Sequence, residues 1–161
     1  MKMITILFII IISVALLFLI WFIVSNYYQK GEIEWNDENT AIISINGKEI
    51  EAQVSASSYK KAQGLSGVVF MEEDKGMLFI FGTSQAVGFS MREMKFPLDF
   101  VWINNNKVVR VDKNVDYPKN GEDPITILPQ QLIDMVLEIN AGTIDKLSIQ
   151  KEDDVSIQKI K

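Results

Sequence analysis

The 161-residue chain is long enough for a single domain, and with 21 acidic against 16 basic residues and a net charge of −5 it lacks the basic balance that nucleic-acid binding requires. It contains neither cysteine nor histidine. That excludes disulfides, thiolate nucleophiles, iron–sulfur clusters, a lipidated cysteine, the serine–histidine–aspartate triad, histidine-bound zinc and c-type haem attachment, and leaves carboxylate, lysine, tyrosine, serine or backbone chemistry.

Met3 to Val24 carries no charge, and Trp21, Tyr27 and Tyr28 fall where an interfacial aromatic belt would lie. A signal peptide would have an apolar core of about 7–15 residues followed by a small-x-small cleavage site. Val24-Ser25-Asn26-Tyr27-Tyr28 offers no such site. The segment therefore reads as an uncleaved transmembrane anchor over 1–28, with the lipid bilayer as its partner. Lys2 precedes it, while Glu32, Glu34, Asp37 and Glu38 follow. That asymmetry predicts a single-pass protein of the cell membrane with its amino terminus cytoplasmic and its domain extracytoplasmic.

Residues 29–39 form a polar linker with a short strand expected near Ile33. Two alternating runs then flank Asn46-Gly47, a pair that tolerates positive φ, and predict a β-hairpin. Ser57 or Ser58 caps a short helix that Gly64 ends. Strands are expected at 76–81, 86–91, 98–103, 107–112 and 125–128, with a turn at Asn104-Asn105-Asn106 and a turn-rich loop over 113–124. Pro129 suits the first turn of a short helix to Asp134. A strand over 135–140, a helix over 141–147 and strand segments at 148–150 and 154–160 complete the chain. This order predicts an α+β domain over 40–161, mainly β, antiparallel and barrel-like, with two or three short helices behind the one transmembrane helix.

In order along the chain stand Gln63-Gly64-Leu65, GMLFIF at 76–81, FSMREM at 89–94, PLDFVWI at 97–103 and VLEINAG at 136–142. This series resembles a prokaryotic family known as domain of unknown function 192, over about residues 44–158. The resemblance implies a barrel-like, mostly β fold, often behind an anchor or export signal, and no activity. The chain departs from the family's pattern at Ser66, where methionine is usual, and at Ser90, Glu93 and Met94, where tryptophan, asparagine and threonine are usual.

The candidate ligand-binding residues are Arg92, Asp99 and Glu138. Arg92 offers a forked donor for carboxylate or phosphate. Asp99 interrupts an apolar strand, so it either serves a ligand or accepts hydrogen bonds from a turn. Glu138 lies between Leu137 and Ile139, and with Asp99 it could imitate the paired carboxylates of a glycosidase. Met71, Met77, Met91 and Met94 read as core rather than copper ligands, and Glu72-Glu73-Asp74 and Asp153-Asp154 as solvated turns rather than Ca²⁺ sites. No catalytic residue, metal or cofactor is assigned. The reading is a non-catalytic module of the cell envelope that binds a small molecule or an envelope protein. A carboxylate-dependent enzyme on envelope glycans and a structural envelope component are the alternatives.

Overall fold

Apolar residues at every other position, and in places at every position, make strands that are buried on one or both faces. The computed structural model describes residues 2–29 and 34–160; within the first helix, side-chain surroundings are described for residues 4 and 11–24. The elements are α1 (Lys2–Gln29), β1 (Thr40–Ile45), β2 (Lys48–Ser55), α2 (Ser58–Gln63), β3 (Lys75–Gln85), β4 (Phe89–Ser90), β5 (Leu98–Asn104), β6 (Lys107–Val115), β7 (Thr126–Ile127), β8 (Ile133–Asn140), α3 (Thr143–Leu147) and β9 (Val155–Lys159). They divide into two compact units, Met1–Glu34 and Trp35–Lys161.

Among the described residues no helix is long and apolar enough to cross a membrane. On this finding the expected transmembrane helix, the cytoplasmic amino terminus and the extracytoplasmic placement of the domain do not stand. The strand expected near Ile33 lies outside the described residues.

The second unit is mainly β. Seven strands form one sheet in the order β6-β5-β8-β3-β2-β1-β9, and β4 and β7 form a separate pair. All neighbours in the large sheet are antiparallel except β2 and β3, which α2 joins by a crossover. The sequence predicts a domain dominated by antiparallel pairing, and this one pair departs from it, because a connection that long and helical returns the chain in the same direction. At one end the sheet's edges meet. Val108 N donates to Asp153 O at 2.9 Å, Glu152 N to Val108 O at 2.8 Å and Val155 N to Asn106 O at 2.9 Å.

Three further expectations are corrected. No helix forms from Pro129 to Asp134, because Ile133 already pairs with Gln85 in the β3–β8 ladder. The strand expected at 86–91 shrinks to β4, which pairs with β7 and not with the main sheet. Residues 148–150 form no strand; Ser148 turns α3 out through a left-handed conformation, φ 56°.

The strands carry a core on each face. One holds Ile43, Ile45, Val54, Leu78, Val101, Leu137 and Ile139, with Ile144 of α3. The other holds Met77, Phe79, Leu98, Phe100, Trp102 and Val136, covered by Leu65, Met91, Met94 and Ile127 from outside the main sheet. Alternation along β8 puts Leu137 and Ile139 in the first core and Val136 and Glu138 on the second face.

Gly76 marks where β3 comes closest to β8. A Cβ there would lie 2.7 Å from the Glu138 carbonyl oxygen and 3.0 Å from Ile139 Cγ2. Gly76→Ala is therefore expected to push the two strands apart and to destabilise the domain by about 2 kcal/mol. A fall in urea midpoint at unchanged slope checks it; a midpoint at the wild-type value would show that β8 yields freely.

Candidate functional site

β8 reads IDMVLEIN, and Glu138 is its one residue of ordinarily charged type on the apolar second face that is turned into the core. In register it lies beside Met77 of β3 and Phe100 of β5. Its side chain is 94% buried, with 6% exposure remaining. Oε2 has no hydrogen-bond partner in the protein. Burial pushes the acid from the ordinary 4.5 up to about 8. At neutral pH the group is therefore mainly a neutral carboxylic acid, able both to donate and to accept.

Two chain segments roof this face. The first runs from α2 through Leu65 and Ser66. Asp37 holds its start: the carboxylate accepts from Ala56 N at 2.8 Å, from Ser57 N at 2.9 Å and from the Ser57 hydroxyl. The Ser57 hydroxyl bond and the backbone bonds hold the Asp37 acid below the usual carboxylate range. Ser57 Oγ in turn caps α2 by accepting from Lys60 N at 3.1 Å. The second segment runs from Val87 through Met94. Arg92 joins the two: its carbonyl accepts from Ser66 Oγ at 3.1 Å and its own N–H donates to Ser90 Oγ at 3.2 Å. Gly67 N donates to Glu93 O at 3.2 Å beside them. Farther along, Asn140 Nδ2 donates to the carbonyls of Met71 and Glu72, both at 2.9 Å, and ties residues 71–72 to the end of β8.

Between roof and sheet is a cavity of about 300 Å³, lined on its apolar side by Leu65, Phe79, Phe89, Met91, Met94 and Leu98. Phe89 fixes one wall. Its ring meets those of Phe79, Trp102 and Phe100 edge-on at centroid distances of 4.8, 5.5 and 5.9 Å. Glu138, Lys61 and Arg92 also line the cavity. Lys61 Nζ donates to Ile80 O at 2.8 Å and lies 5.0 Å from the centre of the Phe81 ring. Burial lowers its pKa.

The structure thus brings Arg92 and Glu138 to one cavity and puts Asp99 elsewhere. Asp99 pairs with Ile139 in the β5–β8 register, so it faces the opposite side of the sheet from Glu138. It is fully buried. Its Oδ1 accepts from Asn114 N at 2.7 Å and its Oδ2 from Ile144 N at 2.8 Å. The first bond takes up a donor at the bulge where β6 shifts register against β5 and Asn114 turns to φ 52°. The second caps α3, whose own N-cap, Gly142, supplies no side-chain bond. The glycosidase-like pairing of Asp99 with Glu138 is therefore ruled out by the sheet, since one residue step turns a side chain to the other face. Among the described residues lining the cavity, Glu138 is the one carboxylate. Among the described residues no three Asp or Glu side chains group closely enough to hold a metal ion.

The profile of DUF192, described as "Uncharacterized ACR", matches residues 41–157. This chain belongs to the DUF192 family. Its fold is similar to that of a protein from Sinorhizobium meliloti 1021 proposed to be a transcription regulator, with TM-score 0.66, 23% identity, and coverage of 78% of this chain and 97% of that one. It is also similar to a protein of unknown function from Novosphingobium aromaticivorans DSM 12444, with TM-score 0.62, 20% identity, and coverage of 78% and 99%. At these identities the likeness is one of fold. No curated protein matches the chain.

Sequence reasoning about this DUF192 domain missed Lys61 and the apolar lining as parts of one site. The basic pair Lys60-Lys61 just before a helix-ending Gly64 was visible, but nothing local says that Lys61 bends back over Phe81. The methionines read as core, which Met91 and Met94 are, at 0% and 4% exposure. That they also wall a cavity follows from the roof segments.

Proposed function

We propose that this DUF192 domain is a non-catalytic binding module that holds a small, largely apolar molecule in the cavity over β3, β5 and β8. The molecule presents a hydrogen-bond acceptor to the carboxylic acid of Glu138. The observation that carries this reading is Glu138 Oε2, buried, without a protein partner and lining a cavity. A buried polar group left unmatched costs about 1–3 kcal/mol, and a ligand that pairs with it recovers that cost. The cavity volume lies at the lower end of small-molecule sites, and its mix of apolar walls with a few polar groups, Glu138, Lys61 and Arg92 among them, is typical of such sites. The role proposed for the S. meliloti protein is not carried over, because an acidic chain supplies no general attraction for phosphate backbones.

The probe is 2-heptanone, a methyl ketone with an apolar tail. With methionine methyl groups labelled in the full chain, it is expected to shift the Met91 and Met94 signals saturably at pH 7. Glu138→Leu is expected to weaken it roughly tenfold, the worth of one well-made hydrogen bond in a site of this kind. Affinity is also expected to fall as pH rises through about 8, because an ionised Glu138 accepts but no longer donates. Lys61 and Arg92 are the other charged groups lining the cavity, and neither contributes to the Glu138 shift, which burial causes. Equal binding of 2-heptanone by wild type and Glu138→Leu, or no saturable shift, would sink the reading.

A further inference from the structure

We propose that the ligand of this cavity is a small aliphatic anion, its charged end at Arg92 and Lys61 and its uncharged hydrogen-bonding group at Glu138. This rests on the reading of the cavity as a ligand site and names the ligand's chemistry. Seven basic side chains of the domain reach carboxylates, among them Lys75 to Glu51 at 2.9 Å, Lys107 to Asp154 at 2.7 Å, Arg110 to Asp112 at 2.6 Å and Lys113 to Asp145 at 2.5 Å, while Lys48, Lys60 and Lys95 lie away from the cavity and reach none among the described residues. In a chain with 21 acidic residues such partners are easy to supply. Arg92 and Lys61 likewise have no carboxylate at ion-pair distance among the described residues, although Asp37 acts on Lys61 from farther away. Both line this cavity.

Their settings suit capture of an anion. Arg92 is exposed, and Ser66 and Ser90 hold its backbone from both sides, so the guanidinium hangs from a fixed root with its donors free. Lys61 spends one donor on Ile80 O and keeps two of an ammonium's three. The inner end is different. Glu138 sits where burial already disfavours its own charge, and a second anion beside it would meet the same penalty. The ligand's charge therefore faces the two cations, its neutral polar group faces Glu138, and its chain lies on Phe79, Met91, Met94 and Leu98. A cavity of about 300 Å³ has room for about ten water-sized groups.

The test compares 6-oxoheptanoate with 2-heptanone on the full chain at pH 7 and low salt, again read at the Met91 and Met94 methyls. The two probes share the methyl ketone and differ in the terminal carboxylate. The keto acid is expected to bind about fivefold more tightly, the scale of a partly exposed ion contact. Added salt should remove that advantage and leave 2-heptanone unchanged. Arg92→Gln combined with Lys61→Gln should do the same, with methyl signals outside the cavity confirming an intact fold. Equal affinities for the two probes, or a double variant that binds the keto acid as wild type does, overturn the anion while the cavity remains a ligand site. If neither probe moves Met91 and Met94, the ligand site and the anion fall together.

Discussion

Wild type is expected to lose on the order of 4 kcal/mol of stability between pH 5 and pH 9 relative to Glu138→Leu. The sign follows from the direction of the shift. The folded acid titrates at about 8 and the unfolded one near 4.5, so between those values the folded state holds the proton that the unfolded state has released. Stability is thus fully present below about pH 4.5, falls as pH rises toward 8, and levels off above it. Other titrating groups add slopes of their own, but these are common to both proteins and cancel in the comparison. Leucine fills a similar volume without the charge, and removing an unmatched buried polar group in favour of an apolar one is neutral or stabilising. Urea unfolding at pH 5, 7 and 9 provides the measurement. Parallel profiles would mean that Glu138 is not a buried neutral acid. The expected result also bears on function: a residue that weakens its own fold yet points into a cavity is explained by a ligand and not by architecture.

Asp99→Asn is expected to have the opposite character, costing about 3 kcal/mol of stability and leaving 2-heptanone binding intact. The two carboxylate oxygens serve two backbone N–H groups, of Asn114 and Ile144. Asparagine keeps one acceptor and turns an NH₂ group toward the other donor, so one buried N–H is stranded against a second donor. The bulge in β6 and the start of α3 depend on the same side chain, and both should loosen. Faster amide exchange at Asn114 and Ile144 together with a lower urea midpoint checks this. A variant that unfolds like wild type but no longer binds 2-heptanone would move Asp99 from architecture to the site. Because the two carboxylates act on opposite faces of β5 and β8, the two variants report on different things: Glu138→Leu on the cavity, Asp99→Asn on the frame.

Much of the frame is legible in the sequence. The alternation of 40–55 around Asn46-Gly47 leads directly to β1 and β2, and their register from Thr40↔Gln53 to Ile45↔Lys48 follows from that turn. The Ser57 cap and the Gly64 stop bound α2 for local reasons. The apolar runs at 76–81 and 98–103 become β3 and β5, buried on both faces. The misplaced strands and helix of the second unit share one cause. Residues 129–134, 86–91 and 148–150 have local preferences that depend on a few residues, and long-range ladders or the exit of α3 outweigh them. The parallel pairing of β2 with β3 was equally hidden, since direction is a property of the connection and not of either strand.

The candidate residues divide in the same way. That Asp99 and Glu138 are unusual could be read from a single charge in an apolar strand. What each does could not, because the two are distinguished by which face of the sheet they occupy and by what lies above it. By itself the sequence determined the class of chemistry available, through the absence of cysteine and histidine, and most of the strands, through periodicity and turn residues. Only the tertiary structure decided that Asp99 meets two backbone donors while Glu138 meets none, and that Lys61, Arg92 and Glu138 share one cavity. Strand patterns are local and survive in one dimension. A cavity is made where segments far apart in sequence fail to fill the space between them, and no local pattern carries that information.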